Sequence, residues 1–243
     1  MGLKARKAPA VEGDNNIFWT TMADLLLGLA IIFMTLFVLA MTGFTQQSLE
    51  QKKQQIEVNK ELIENLKKAN IDAQVDEMSG DVKISDMELF ELGSYNLSPK
   101  GKAYLDKLVP IYINTIFSKK ELVDEIENII IQGHTDSHTF AGINNPDVEY
   151  MKNMELSIAR ADAVANYMFK TGYNKQYSPK LRKMLIVEGK SYSDPILVNG
   201  KEDYNKSRRV EMRLKVKKLD ITEVLFHGVQ SLNVKWRFDT WND

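Results

Sequence analysis

The chain has 243 residues, 44% of them hydrophobic, and a formal net charge of −1. That length suits one or two domains, and a near-neutral balance without a dense basic patch gives no case for a nucleic-acid partner. There is no cysteine, so disulfides, thiolate metal ligands, thiol nucleophiles and cysteine lipidation are excluded.

Residues 1–16 read as a short polar tail. Residues 17–44 are apolar with one charged side chain, Asp24. At about 1.5 Å of rise per residue, a helix over this stretch exceeds the roughly 30 Å hydrocarbon core of a bilayer. A cleaved signal peptide would carry an apolar core of only about 7–15 residues and a small-x-small cleavage site. Ala40-Met41-Thr42 is a poor site, so the expectation is an uncleaved, single-pass transmembrane helix. Lys4, Arg6 and Lys7 precede it and favour a cytoplasmic N-terminus, although Lys52 and Lys53 beyond it weaken that bias.

Asp24 is the costly residue of this segment. An ionised Asp at mid-bilayer costs about 2.5–3.5 kcal/mol on insertion scales, so such groups face a partner or a water path. Thr21, Gly28, Thr35 and Thr42 recur every seven residues, and Asp24 falls on their stripe. Small and hydroxylated side chains let a second helix approach closely and bond across the gap. The pattern points to a carboxylate that binds and releases an ion. The competing reading sets Asp24 at headgroup depth beside Phe18 and Trp19.

Residues 45–74 are polar, free of Gly and Pro, and rich in helix formers. Leu49, Ile56 and Ile63 stand at sevenfold spacing, with Leu66 three further on. They suggest a solvated helical stalk or a short paired coil.

From 75 to 218 strand and helix signals alternate. Strands are expected at 82–85, 126–133, 183–189 and 208–216. A helix is expected at 98–117, opened by Ser98-Pro99, and another at 154–173, closed by Gly172. The class is α+β, with helices on a mixed sheet. Residues 219–243 carry Trp236 and Trp241 in no readable element and are set apart as a C-terminal extension that packs on the domain or on a partner.

Within GHTDS (133–137), Thr135 and Asp136 leave the end of a buried strand, and Arg160 lies on the second helix. A short acid and a guanidinium together make either a receptor for a zwitterion or an internal salt bridge. His134 and His138 flank Asp136, but no metal is expected from them. No nucleophile–base set or phosphate loop appears, so neither enzyme activity nor a cofactor is expected.

Several motifs in order carry a family resemblance: ELFELGSYNLSPKG (88–101), IIIQGHTDS (129–137), NMELSIARADAVANYM (153–168), VEGKSYSDP (187–195) and SRRVEMRL (207–214). Together they resemble the OmpA-like peptidoglycan-binding domain. That resemblance implies a β-α-β-α-β-β sandwich. It also implies that Asp136 takes the amino group, and Arg160 the carboxylate, of diaminopimelate in a cell-wall stem peptide. Thr135, Asn153, Leu156 and Arg209 match accompanying positions of the family. The chain departs from the family in the inserted SHTFAGINNPDVEYMK (137–152), in Lys152 where an aromatic is usual, and in Ser207 where Asn or Asp precedes the double Arg.

FWTTMADLLLGL (18–29) resembles the opening of ion-motor stator B subunits, the MotB/ZorB-like family. The short stalk, and Phe-Trp ending five residues before the acid, look more like the ZorB branch of the Zorya anti-phage system. What the resemblance implies is Asp24 as carrier of H+ or Na+, with Thr21, Gly28 and Thr35 lining the helix interface. It further implies a homodimer inside a ring of MotA/ZorA-like subunits, residues 45–74 as linker or plug, and an inner-membrane protein whose C-terminal domain is periplasmic. A flagellar stator and a static wall tether are the alternatives.

Overall fold

The computed structural model describes residues 13–217, apart from 72, 92, 139 and 140. The chain divides into two compact units, with residues 13–49 in one and 50–217 in the other. The expected 219–243 extension and residues 1–12 of the expected tail lie outside the described residues.

The first unit lies in helix α1 (Gly13–Lys68), which starts inside the expected tail. In its apolar part Leu25, Ile31, Phe33, Phe37 and Leu39 are all more than half exposed, so none of the other described residues covers them. The threonine hydroxyls turn back on their own helix. Thr21 donates to the Ile17 carbonyl at 3.0 Å and Thr35 to the Ile32 carbonyl at 2.8 Å, which leaves no hydroxyl proton unbonded in an apolar medium.

The second unit is the expected α+β sandwich. Its sheet has the order β1-β2-β7-β3-β4, from Gln74–Val75, Val82–Ser85, Arg209–Val216, Ile126–His134 and Leu185–Gly189. β3 and β4 are parallel and the other pairs antiparallel. A parallel pair needs a crossover, and α5 (Pro146–Met168) provides it. Along β3, Ile129 and Ile131 are fully buried, as are Val210 and Met212 on β7; this is the sheet face that meets the helices. α3 (Pro99–Ser118) begins where Ser98 accepts from the Gly101 N–H at 2.9 Å, and it buries Leu105, Leu108, Val109, Tyr112, Ile113 and Ile116. That spacing is one helical face.

Three features differ from the sequence reading. α5 starts at Pro146, well before residue 154, because Asn145 accepts from the N–H groups of Asp147 and Val148 (2.9 and 3.3 Å) and Pro146 takes the first turn. The second half of the inserted segment is therefore helix. Secondly, Leu197–Val198 (β5) and Lys201–Glu202 (β6) form a hairpin through Asn199-Gly200, both at positive φ. It leads into a short helix, α7 (Tyr204–Ser207).

Thirdly, residues 50–68 of α1 are not a free stalk. Val58, Leu62 and Leu66 are 3%, 1% and 2% exposed and belong to the domain core. Asn65 donates to Thr115 at 3.2 Å, and Asn59 and Gln55 donate to the Glu77 and Ser79 carbonyls at 3.1 and 3.0 Å. Of the expected seam, Leu49 is exposed, Ile56 and Ile63 are half-buried, and Leu66 alone joins the buried face. A helix docked on a globular partner buries residues four apart, whereas a coiled coil would bury the heptad seam.

Candidate functional site

The site in the second unit forms where β3 ends beside α5. An added Cβ on Gly133 would strike the Ser157 carbonyl, and one on Gly189 would strike Ser157 and Ile158. Glycines at these two positions let the helix lie directly on β3 and β4. The Ser157 hydroxyl then accepts from the Ser191 N–H at 3.1 Å, and the Ser191 carbonyl accepts from the Thr135 N–H at 2.9 Å. Those bonds fix the chain just before Asp136 and hold α5 so that Arg160, one turn beyond Ser157, enters the same cluster.

The cluster contains four charges, of which Asp136 and Arg160 were expected and Arg208 and Asp86 were not. The Arg208 Nη1 donates to Asp136 Oδ2. Arg208 also lies 3.8 Å from Asp86, whose Oδ2 is 3.1 Å from Arg160 Nη2. Acid and guanidinium thus alternate as Asp136, Arg208, Asp86 and Arg160. Arg160 in addition donates from Nε to the Ser94 carbonyl at 3.1 Å, and its guanidinium stands 5.3 Å from the centre of the Phe90 ring. Burial pushes the Asp86 carboxyl above its ordinary value against the pull of Arg160 and Arg208; burial likewise lowers Arg160 against the pull of Asp86. Both shifts mark a pair held largely out of water, where each charge depends on its counter-ion.

The outer rim is formed by His138, Tyr204 and Glu202. His138 Nδ1 is 3.0 Å from Asp136 Oδ2, the His138 and Tyr204 rings are 3.8 Å apart, and the Ser137 N–H donates to Glu202 at 3.3 Å. The Thr135 hydroxyl is buried with no hydrogen-bond partner among the described residues. Asn153 is buried and donates to the Glu149 carbonyl of its own helix at 3.3 Å, and Leu156 is half-buried.

Arg209 belongs to a different cluster from the one the sequence suggested. It donates to Glu211 at 2.6 Å and to Asp194 at 2.9 Å, beside the buried His134. Arg208 lies in the link between α7 and β7 while Arg209 opens β7, and their side chains diverge, Arg208 to Asp136 and Arg209 to Glu211 and Asp194. The sequence reading named Arg209, and the structure places its neighbour Arg208 on Asp136 instead. His134, Asp194 and Glu211 bring donor atoms within 4.8 Å of one another, but Arg209 already holds both carboxylates. Asp86 was not anticipated; its only sequence signal is a lone acid just after a short strand.

In the first unit, Asp24 is exposed on the same helix as Thr21, Gly28 and Thr35, and a Cβ added to Gly28 meets nothing within 4 Å. The described part of the chain thus leaves this stripe open to another helix.

The profile of the OmpA family matches residues 89–209. The chain is similar to the Zorya protein ZorB of Escherichia coli strain Crooks, with 31% identity over 220 residues covering 86% of this chain and 92% of that protein. A Zorya protein ZorB of a second Escherichia coli strain is 25% identical over 226 residues, covering 88% and 85%. Among solved structures, a MotB-like protein from Desulfovibrio vulgaris superposes with a TM-score of 0.49 at 24% identity, covering 70% of this chain and 96% of that one.

Proposed function

The chain belongs to the family of the Zorya protein ZorB, MotB/ZorB-like proteins with an OmpA-like domain, and from that premise we propose that it is the wall-anchored B subunit of an ion-driven membrane motor serving anti-phage defence. In this reading the apolar helix crosses the inner membrane once, with its N-terminus in the cytoplasm and the sandwich domain in the periplasm. Two copies stand inside a ring of MotA/ZorA-like subunits. Asp24 takes up and releases a proton (or sodium ion) delivered through that ring, while Thr21, Gly28 and Thr35 let the neighbouring helix approach. One charge crossing about 100 mV releases roughly 2.3 kcal/mol, enough to bias a conformational cycle.

The far end must not turn. A complex free to diffuse would spin itself instead of working on a partner. Asp136 and Arg160 supply the anchor, holding the ammonium and carboxylate of diaminopimelate in the peptidoglycan stem peptide.

The observation that carries the proposal is Asp24, an acid on an exposed apolar helix face of small and hydroxylated residues, in a chain with an acid–guanidinium site in its second domain. The test is Asp24→Asn in cells challenged with phage. Protection is lost while the full chain still sediments with peptidoglycan. If protection persists in full, the motor reading fails and a static tether remains. The double variant Asp136→Ala, Arg160→Ala is expected to abolish sedimentation, and unchanged sedimentation would refute the wall site.

A further inference from the structure

The wall-binding site is already occupied by the protein's own charges. Asp136 is 7% exposed and Arg160 3%, too little for a ligand to reach either side chain as they stand. Each is instead capped by a resident counter-ion: the Arg208 guanidinium on Asp136, and the Asp86 carboxylate 3.1 Å from Arg160. The caps are the more exposed partners, with side chains 27% and 13% accessible. Arg208 follows directly on the short helix α7 and donates to Asn205 within it, and His138, whose ring meets that of Tyr204, shares Asp136 with it.

We propose that Arg208 and Asp86 are internal stand-ins for the two charges of the ligand, and that binding is an exchange of ion pairs. The inference rests on the wall-binding reading of Asp136 and Arg160. The incoming ammonium takes Asp136 from Arg208, and the incoming carboxylate takes Arg160 from Asp86. Exchange keeps every buried charge paired throughout, which matters because an unpaired one is expensive. It also sets specificity. A ligand that brings only one of the two charges frees one stand-in and cannot complete the exchange.

The consequence runs against ordinary expectation for a residue in a binding site: removing a stand-in strengthens binding. Calorimetric titration of the full chain in detergent with meso-diaminopimelate tests this. Arg208→Gln is expected to tighten binding about tenfold, the scale of one charged hydrogen bond no longer competing. Arg208→Lys, which keeps the cation, restores affinity close to the parent. With pimelate, which has the carboxylates and no ammonium, Arg208→Gln brings no gain. Asp86→Asn provides a second, independent arm, freeing Arg160 and again tightening diaminopimelate binding.

Thermal unfolding identifies a variant that fails to fold, and the other arm then decides. If the folded variants bind diaminopimelate no tighter than the parent, while Asp136→Asn abolishes binding, the exchange is refuted and the wall site stands. If Asp136→Asn leaves affinity unchanged, or the parent does not bind, the wall-site reading falls and the exchange falls with it.

Discussion

Arg208 reaches Asp136 across 72 residues of sequence, whereas its neighbour Arg209 turns to Glu211 and Asp194. The two side chains are chemically identical and adjacent, yet they differ in burial: Arg209 is 5% exposed and Arg208 27%. The first locks β7 to the loop before the hairpin. The second closes the mouth of the site.

Their substitutions should therefore separate. Arg209→Met takes the 2.6 Å partner from Glu211, itself 6% exposed, leaving it Lys83 and Arg213 at 3.9 Å, and is expected to cost about 3–5 kcal/mol, as for one partner of a buried pair. Arg208→Met removes a more accessible arginine, although its partner Asp136 is buried, and is expected to cost about 1–3 kcal/mol. Chemical denaturation of the two variants measures both, and equal losses would show that the arginines share one structural role.

Gly133→Ala tests the close approach of α5. The added methyl meets the backbone carbonyl of Ser157 rather than a flexible side chain, so relief requires the helix to move. The expected loss is about 1–3 kcal/mol, the usual range for overpacking. Because the same helix carries Arg160, diaminopimelate affinity should fall in parallel. Unchanged affinity with lowered stability would mean that the site tolerates a displaced helix.

Residues 50–68 offer a packing test. Leu62→Ala is expected to lower stability by about 2–5 kcal/mol, since Leu62 is 1% exposed in the domain core. Leu49→Ala, at a 52% exposed position, should stay within about 0.5 kcal/mol. Thermal unfolding of the two variants compares them. A mild Leu62→Ala would indicate that this helix does not share the core in solution.

Acid should loosen the second unit through His134. Burial and the nearby Arg209 push its pKa down from 6.5 to about 4, against the opposing pull of Glu211 and Asp194. The unfolded chain thus binds a proton near pH 6.5 that the folded chain refuses until about pH 4. Stability is full above pH 6.5 and falls as pH drops towards 4, by roughly 3 kcal/mol over the whole interval. Hydrogen exchange of β3 amides between pH 7 and 5 follows this, and His134→Gln should flatten the slope. An equal slope in the variant would assign the acid sensitivity to other groups.

The order of strands and helices was legible in the sequence because each element carries its own local signal. Ser98-Pro99 opens α3, the isoleucines of 126–131 make a buried strand, and a long apolar run with one acid makes α1 a membrane candidate. Family motifs likewise pointed to Asp136 and Arg160. What local signals could not hold was the choice among equivalent partners. Whether 208 or 209 meets Asp136 depends on how the link after α7 enters β7, which the tertiary fold sets. Asp86 joins the site only through the tertiary fold, in which its short helix, Asp86–Leu89, packs on α3 and β2. The stripe Val58, Leu62, Leu66 was visible beside the heptad seam, but only the surface of the folded domain decides which stripe is buried. Short-range rules of propensity, capping and periodicity thus determined the elements. The pairing of charges, and the docking of residues 50–68, were decided by the tertiary structure, because burial and counter-ions are properties of distant residues brought together.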